Sequence, residues 1–63
     1  MQPPSENQVA AAHRVLEALK FGRDPSIVDA VLLRLWIGRR TKAPLAEIAT
    51  ALIEAHSKQK HIL

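Results

Sequence analysis

The sequence predicts a small all-α domain of three helices, with the possibility of a dimer left open. Three segments repeat apolar residues at intervals of three and four, which is the spacing of one face of an α-helix. Residues that favour helix starts and helix ends stand at the borders of these segments. Since 63 residues are too few for two domains, residues 1–63 are expected to form a single helical domain.

The first helix is predicted over residues 6–21. Ser5 and Gln8 have the spacing of a capping box, in which each side chain binds the other residue's backbone N–H. Gly22 is suited to the left-handed conformation that ends a helix. The predicted apolar stripe of this helix consists of Val9, Ala12, Leu16 and Leu19.

The second helix is predicted over residues 25–37. Asp24 is an expected N-cap, and Pro25 suits the first helical position because its missing N–H would have no partner there. Gly38 is expected to end the helix. The loop before it is very short, so the first two helices are expected to pack as neighbours.

The third helix is predicted over residues 44–58. It begins near Pro44, and Glu47 lies in its first turn, where a carboxylate is stabilised by the helix dipole. Its predicted apolar stripe consists of Leu45, Ile48, Leu52 and Ala55, with Ala49 and Ile53 beside it.

The second helix carries apolar residues on two opposite sides. Successive residues of an α-helix are rotated by about 100° around its axis. This rotation places five apolar residues in one arc, which is predicted to face the core: Ile27, Val28, Val31, Leu32 and Leu35. The opposite arc holds Ala30, Leu33, Trp36 and Ile37, among polar residues such as Ser26 and Asp29. One hypothesis makes Leu33, Trp36 and Ile37 a protein interface anchored by Trp36, since tryptophan is enriched at binding hot spots. The other hypothesis is that the helix is sandwiched within its own chain.

The small size of the chain favours self-association or a protein partner. In a domain of this length a single core rarely supplies more than ~3–5 kcal/mol of stability. The chain has no cysteine, so a disulfide cannot add to that stability. A homodimer interface or a larger partner would bury further apolar surface.

The chain is basic, with nine Lys and Arg against six Asp and Glu and a net charge of +3. No acidic residue occurs between positions 30 and 46. The Lys and Arg side chains of this segment and of the C-terminal residues are candidates for contact with nucleic acid or with an acidic protein partner. Alternatively, they complement the dipole of a helix C-terminus and are solvated. The candidate contact residues are Arg39, Arg40, Lys42, Lys58 and Lys60.

Residues 44–52, with the sequence PLAEIATAL, resemble the first helix of a helix-turn-helix motif. That motif favours a small residue where Ala49 stands, because its two helices approach closely there. The pattern then departs from the family, since a turn glycine would be needed at Ile53 and a buried aliphatic residue at Gln59. The resemblance implies that Ser57, Lys58 and Lys60 would face the major groove of DNA.

The chain contains few side chains that are suited to catalysis. The six acids suit caps, first helical turns or exposed helix faces, and the histidines His13, His56 and His61 are expected at the surface. No glycine-rich phosphate loop is present, since the chain has two isolated glycines. We therefore expect no enzymatic activity, no cofactor, no bound metal and no small-molecule substrate.

The apolar stretch over residues 30–33 is far too short to span a bilayer, and residues 1–8 lack the pattern of a signal peptide. A cytoplasmic protein without membrane contact is therefore expected. The sequence predicts a small non-enzymatic protein-interaction module, a regulator or inhibitor that self-associates or binds a larger protein. The alternative is a small basic DNA-binding transcriptional regulator with a partial helix-turn-helix-like C-terminal segment.

Overall fold

Helix α1, Glu6–Lys20, begins at the capping box that the sequence predicts. The computed structural model describes residues 3–38 and 42–60, leaving out the side chain of Lys60. The Gln8 N–H donates to Ser5 Oγ at 3.2 Å, and the Ser5 N–H donates to Gln8 Oε1 at 3.0 Å. These two bonds satisfy backbone donors that the helix itself leaves without partners.

The end of α1 also agrees with the prediction. Gly22 has a φ of +71°, and the N–H of Arg23 reaches back to the Ala18 carbonyl at 2.8 Å. This is the hydrogen bond of a Schellman motif, which needs a left-handed residue that glycine adopts without strain. The chain therefore turns sharply toward the next helix.

Helix α2, Ile27–Ile37, starts two residues later than the sequence predicts. Ser26 is its N-cap, with Ser26 Oγ accepting from the Val28 N–H at 3.2 Å, so the prediction that Asp24 caps this helix is wrong. Serine and aspartate cap helices about equally well, so the local sequence could not choose between them. Gly38 follows the helix with a φ of +107°, as expected for its end.

Helix α3, Leu45–Lys60, forms one continuous rod of 16 residues. The Pro44 carbonyl accepts from the N–H groups of Glu47 and Ile48 at 3.1 Å, which fixes the first turn. The predicted helix-turn-helix arrangement would require a break at Ile53. Since the helix runs through that position, the resemblance fails at its turn.

The core lies mainly between α1 and α3, and α2 adds one fully buried residue to it. These side chains have no exposed surface: Ala11, Ala12, Val15, Leu33, Ile48, Ala49 and Leu52. Small alanines on both long helices allow their backbones to come close. The predicted all-α, three-helix fold is confirmed. Within the described residues, no helix combines the length and the apolarity needed to cross a lipid bilayer.

The buried face of α1 is rotated relative to the predicted stripe. Ala12 is buried as expected, and Val9 and Leu16 pack at the edge of the core. Leu19 is 41% exposed, while Ala11 and Val15 take the central positions. The stripe predicted from the 3, 4, 3 spacing is therefore off by a small rotation, because close packing against α3 selects smaller side chains for the centre.

Candidate functional site

The most prominent unpartnered surface is an aliphatic face of α2. Its four side chains are exposed to a large extent: Ile27 82%, Val28 66%, Val31 49% and Leu35 51%. At about 100° per residue they lie on one side of the helix, opposite Leu33. We call this set the α2 apolar face. A contiguous apolar patch of this kind commonly marks an interaction site.

Four of the five α2 residues that the sequence predicts to face the core are exposed, namely Ile27, Val28, Val31 and Leu35. The fifth, Leu32, is half-buried and packs against the core as predicted. Leu33, predicted to lie in an interface, is fully buried within the chain. Trp36 and Ile37 are half-buried and pack against the core. Leu33 therefore has no surface with which to contact a partner in this structure.

An ion pair allows α2 to turn the side that carries Asp29 inward. Asp29, only 6% exposed, lies on the same side of α2 as Leu33. The Arg14 guanidinium of α1 donates to both carboxylate oxygens, with Nη2 to Oδ1 at 2.8 Å and Nε to Oδ2 at 3.0 Å. A carboxylate can be buried when it is hydrogen-bonded in this way. The sequence predicts a cap, a first-turn position or an exposed helix face for Asp29; the first-turn position is confirmed, and the side chain is buried there.

The pair also has an electrostatic consequence. The hydrogen bonds from Arg14 lower the pKa of the Asp29 carboxyl below its ordinary value of 3.8, and the positive charge of Arg14 adds to this, while burial acts in the opposite direction. Asp29 lies in the first turn of α2, where the helix dipole also stabilises a negative charge. The ionised form of Asp29 is therefore the one that the fold favours.

This pair predicts a loss of stability in acid. Because the pKa of Asp29 is lowered in the folded state, its contribution is complete above the unfolded value of 3.8 and declines as the pH falls through the lower folded value. We expect the melting temperature of the parent chain to fall as the pH drops below 3.8. Asp29→Asn should make the melting temperature less dependent on pH, and it should lower the melting temperature at neutral pH by several degrees. Thermal melts followed by circular dichroism from about pH 5 to about pH 2 test this.

The matched control is Asp24→Asn, which removes an exposed carboxylate and leaves the Arg14–Asp29 pair intact. It is expected to keep the acid behaviour of the parent chain. Identical acid dependence in the parent and in Asp29→Asn would contradict the assigned role of the pair.

The part of Trp36 that stays exposed lines a shallow groove of about 430 Å³. The groove lies between α3 and the residues that precede α1, and Pro3, Pro4, Ala51 and Ala55 contribute to its wall. Trp36 was predicted to anchor an interface. The structure instead separates it from the α2 apolar face, because the two lie on different sides of the helix.

The predicted basic contact residues do not come together in the described part of the chain. Lys42 and Lys58 are both exposed, yet Lys42 precedes α3 and Lys58 lies near its end. At 1.5 Å per residue, the helix separates them by roughly 20 Å. Arg39 and Arg40 and the side chain of Lys60 lie outside the described residues.

Two exposed cations stand close to an exposed aromatic ring near the start of α2. Lys20 Nζ and the Arg23 guanidinium carbon each lie 5.9 Å from the centre of the Phe21 ring, which is 62% exposed. This distance suits a cation–π interaction. Lys20, Phe21 and Arg23 form no run of basic residues, so the distribution of charge along the sequence does not point to them.

The side chains that could ligate a metal lie apart from one another. Among the residues that the structure describes, no three His, Cys, Asp or Glu side chains are placed to hold a metal ion. His13 is exposed and His56 is half-buried, while the predicted surface residue His61 lies outside the described residues.

The fold and this surface define a small all-α, three-helix domain with one exposed aliphatic helix face. Comparison of the chain with protein-family models gave no match. Comparisons with curated proteins and with solved structures gave no match either.

Proposed function

We propose that this chain is a small non-enzymatic protein-interaction module that docks through the α2 apolar face. The supporting observation is the large exposure of Ile27, Val28, Val31 and Leu35 on one side of a helix. Covering an aliphatic side chain on binding is favourable by about 1.5–3 kcal/mol when it becomes fully buried. A module of this kind acts by occupying a surface of its partner, as a small regulator or inhibitor does.

The side chains of this face are suited to binding because three of the four are β-branched. Ile27, Val28 and Val31 each have one strongly preferred χ1 rotamer in a helix. They therefore lose little conformational entropy when a partner covers them. The face is a preformed ridge, and the core on the opposite side of α2 holds it in place.

DNA binding, the alternative function predicted from the sequence, receives no comparable support. Of the five predicted contact residues, two have described side chains; Lys42 lies before α3 and Lys58 near its end, and α3 has no break at Ile53. We therefore propose protein docking as the function and not DNA recognition.

Photocrosslinking tests the proposal. The photoreactive residue p-benzoylphenylalanine replaces Val28 on the α2 apolar face, and in a matched control it replaces Ala46, an exposed residue of α3. In a lysate of the source cells, we expect a discrete protein adduct from position 28 and none from position 46. Excess parent chain should compete for this adduct, and the variant Val28→Ser/Val31→Ser should not.

Two results would contradict the proposal. One is the same adduct pattern from both positions, and the other is equal competition by the parent chain and the double variant. A specific adduct of the chain with itself would support docking and would identify a homodimer, which light scattering at several concentrations would then measure.

A further inference from the structure

The Asp24–Pro25 peptide bond lies in the short connection between α1 and α2. Helix α1 ends at Lys20 and α2 begins at Ile27, so this bond belongs to neither helix. From its chemistry and its place in the fold, we propose that this bond is a site of acid-induced self-cleavage, at which the Asp24 carboxyl group cuts its own chain. This reaction would be independent of docking through the α2 apolar face.

The chemistry depends on the two residues that the bond joins. A carboxyl oxygen of an aspartate side chain can attack the backbone carbonyl carbon of its own residue, because a five-membered ring forms and the reacting groups are already close. The nitrogen of a proline is a tertiary amide, which is more basic than an ordinary peptide nitrogen and leaves more readily. Peptide bonds between aspartate and proline are therefore unusually sensitive to mild acid, and Asp24–Pro25 is the one such bond in this chain.

The reaction consumes one molecule of water and needs no other reactant. A carboxyl oxygen of Asp24 bonds to the Asp24 carbonyl carbon, and the C–N bond to Pro25 breaks. The electron pair of that bond stays on the nitrogen, which takes up the carboxyl proton and becomes the free amine of Pro25. Water then opens the cyclic anhydride and leaves two carboxyl groups on Asp24. The products are residues 1–24 and residues 25–63.

The fold leaves this bond open to reaction. Asp24 is exposed, and Pro25 is half-buried. Asp24 borders a surface groove of about 230 Å³, so water can reach its carboxyl group. The other charged residues that line this groove are Arg14, Glu17 and Arg23. The Arg14 guanidinium is bound to Asp29, so it does not hold the Asp24 carboxyl group away from its own carbonyl carbon.

The second aspartate of the chain provides an internal comparison. The Asp29–Ala30 bond lies within α2, where the Ala30 N–H donates to the Ser26 carbonyl at 3.0 Å. The Asp29 side chain is buried, and Arg14 binds it at 2.8 Å. In the folded chain, therefore, both the attacking carboxyl group and the leaving nitrogen are held in other interactions at this position.

Cleavage at Asp24–Pro25 would remove α1 from the fold. Residues 1–24 carry Ala11, Ala12 and Val15, which form the α1 side of the core. A single small core supplies less free energy than a micromolar complex of two chains requires, so the fragments should separate at micromolar concentration. Helices of 15 and 16 residues are marginal in isolation. The α2 apolar face would then lose the core that holds it in place.

The test follows cleavage of the full chain by mass spectrometry over several days. One sample is kept at the lowest pH at which circular dichroism still shows the folded chain. A second sample at the same pH is unfolded with guanidinium chloride. We expect residues 1–24 and 25–63 to form at similar rates in both, because the fold already exposes the bond. Cleavage at Asp29–Ala30 should be at least about tenfold slower in both samples.

Two variants test the roles of the two residues. Asp24→Glu keeps the charge and lengthens the side chain by one methylene, so attack must form a larger ring. Pro25→Ala keeps the carboxyl group and replaces the leaving nitrogen with an ordinary amide. Each should be cleaved at this position at least about tenfold more slowly than the parent chain. The unfolded samples make this comparison independent of any change in stability. On return to neutral pH, the cleaved parent chain should have lost most of its helical circular dichroism.

Four results would overturn the proposal. One is the absence of cleavage between Asp24 and Pro25, and another is cleavage there in the unfolded sample alone, which would show that the fold protects the bond. The third is equal cleavage at Asp29–Ala30, and the fourth is a rate in Asp24→Glu or Pro25→Ala that equals the rate of the parent chain. None of these results would affect the docking function, which photocrosslinking tests separately.

Discussion

Leu33→Ala is expected to unfold a large part of the protein at room temperature. Leu33 is fully buried, and it is the one α2 residue among the fully buried apolar side chains. Truncating a buried leucine to alanine costs about 2–5 kcal/mol, through lost burial and the cavity left behind. A single core of this size supplies about 3–5 kcal/mol, so little stability would remain. Thermal and urea unfolding followed by circular dichroism would show the loss.

The matched control is Ile27→Ala on the same helix. Ile27 is 82% exposed, so its truncation should change the free energy of unfolding by less than about 0.5 kcal/mol. The two variants together determine which side of α2 is in the core. A destabilised Ile27→Ala beside a stable Leu33→Ala would mean that α2 is rotated by half a turn, as the sequence alone predicted.

Ala49→Leu is expected to be the second most damaging change. Ala49 has no exposed surface and belongs to the core cluster that also contains Ala11 and Ala12 of α1. A leucine there would have to push α1 and α3 apart or adopt a strained rotamer, at a cost of about 1–3 kcal/mol. The midpoint of urea unfolding should fall accordingly, with little change in its slope.

Ala46→Leu is the control for this change. Ala46 lies on the same helix but is exposed, and alanine and leucine have similar helix propensities. We expect its unfolding midpoint to stay close to that of the parent chain. If Ala49→Leu were as stable as Ala46→Leu, the contact between α1 and α3 would have to be looser than the structure shows.

Local features were predictable because they depend on neighbours in the sequence. Ser5 with Gln8 and the left-handed Gly22 are confirmed, since a cap is made within a few residues of the chain. The start of α2 was missed by two residues because Asp24 and Ser26 are both good caps. The helices themselves follow from the spacing of apolar residues.

The candidate site was not predictable in the same way. Because α2 is apolar on two sides, periodicity identifies a helix but does not say which side is buried. Because Asp29 is charged, the side of α2 that carries Asp29 and Leu33 was not predicted to face the core. Arg14, 15 residues away, reverses that conclusion by pairing with Asp29, and this partner follows only from how α1 packs on α2.

The sequence by itself thus determined the all-α class, the three helices, the capping box of α1, the glycines that end α1 and α2, and the positive charge, since these depend on composition and on residues close together in the chain. Only the tertiary structure decided that Leu33 is buried and that Ile27, Val28, Val31 and Leu35 are exposed. The Arg14–Asp29 pair makes this orientation possible, because it lets a carboxylate enter the edge of the core on the side of α2 that also buries Leu33.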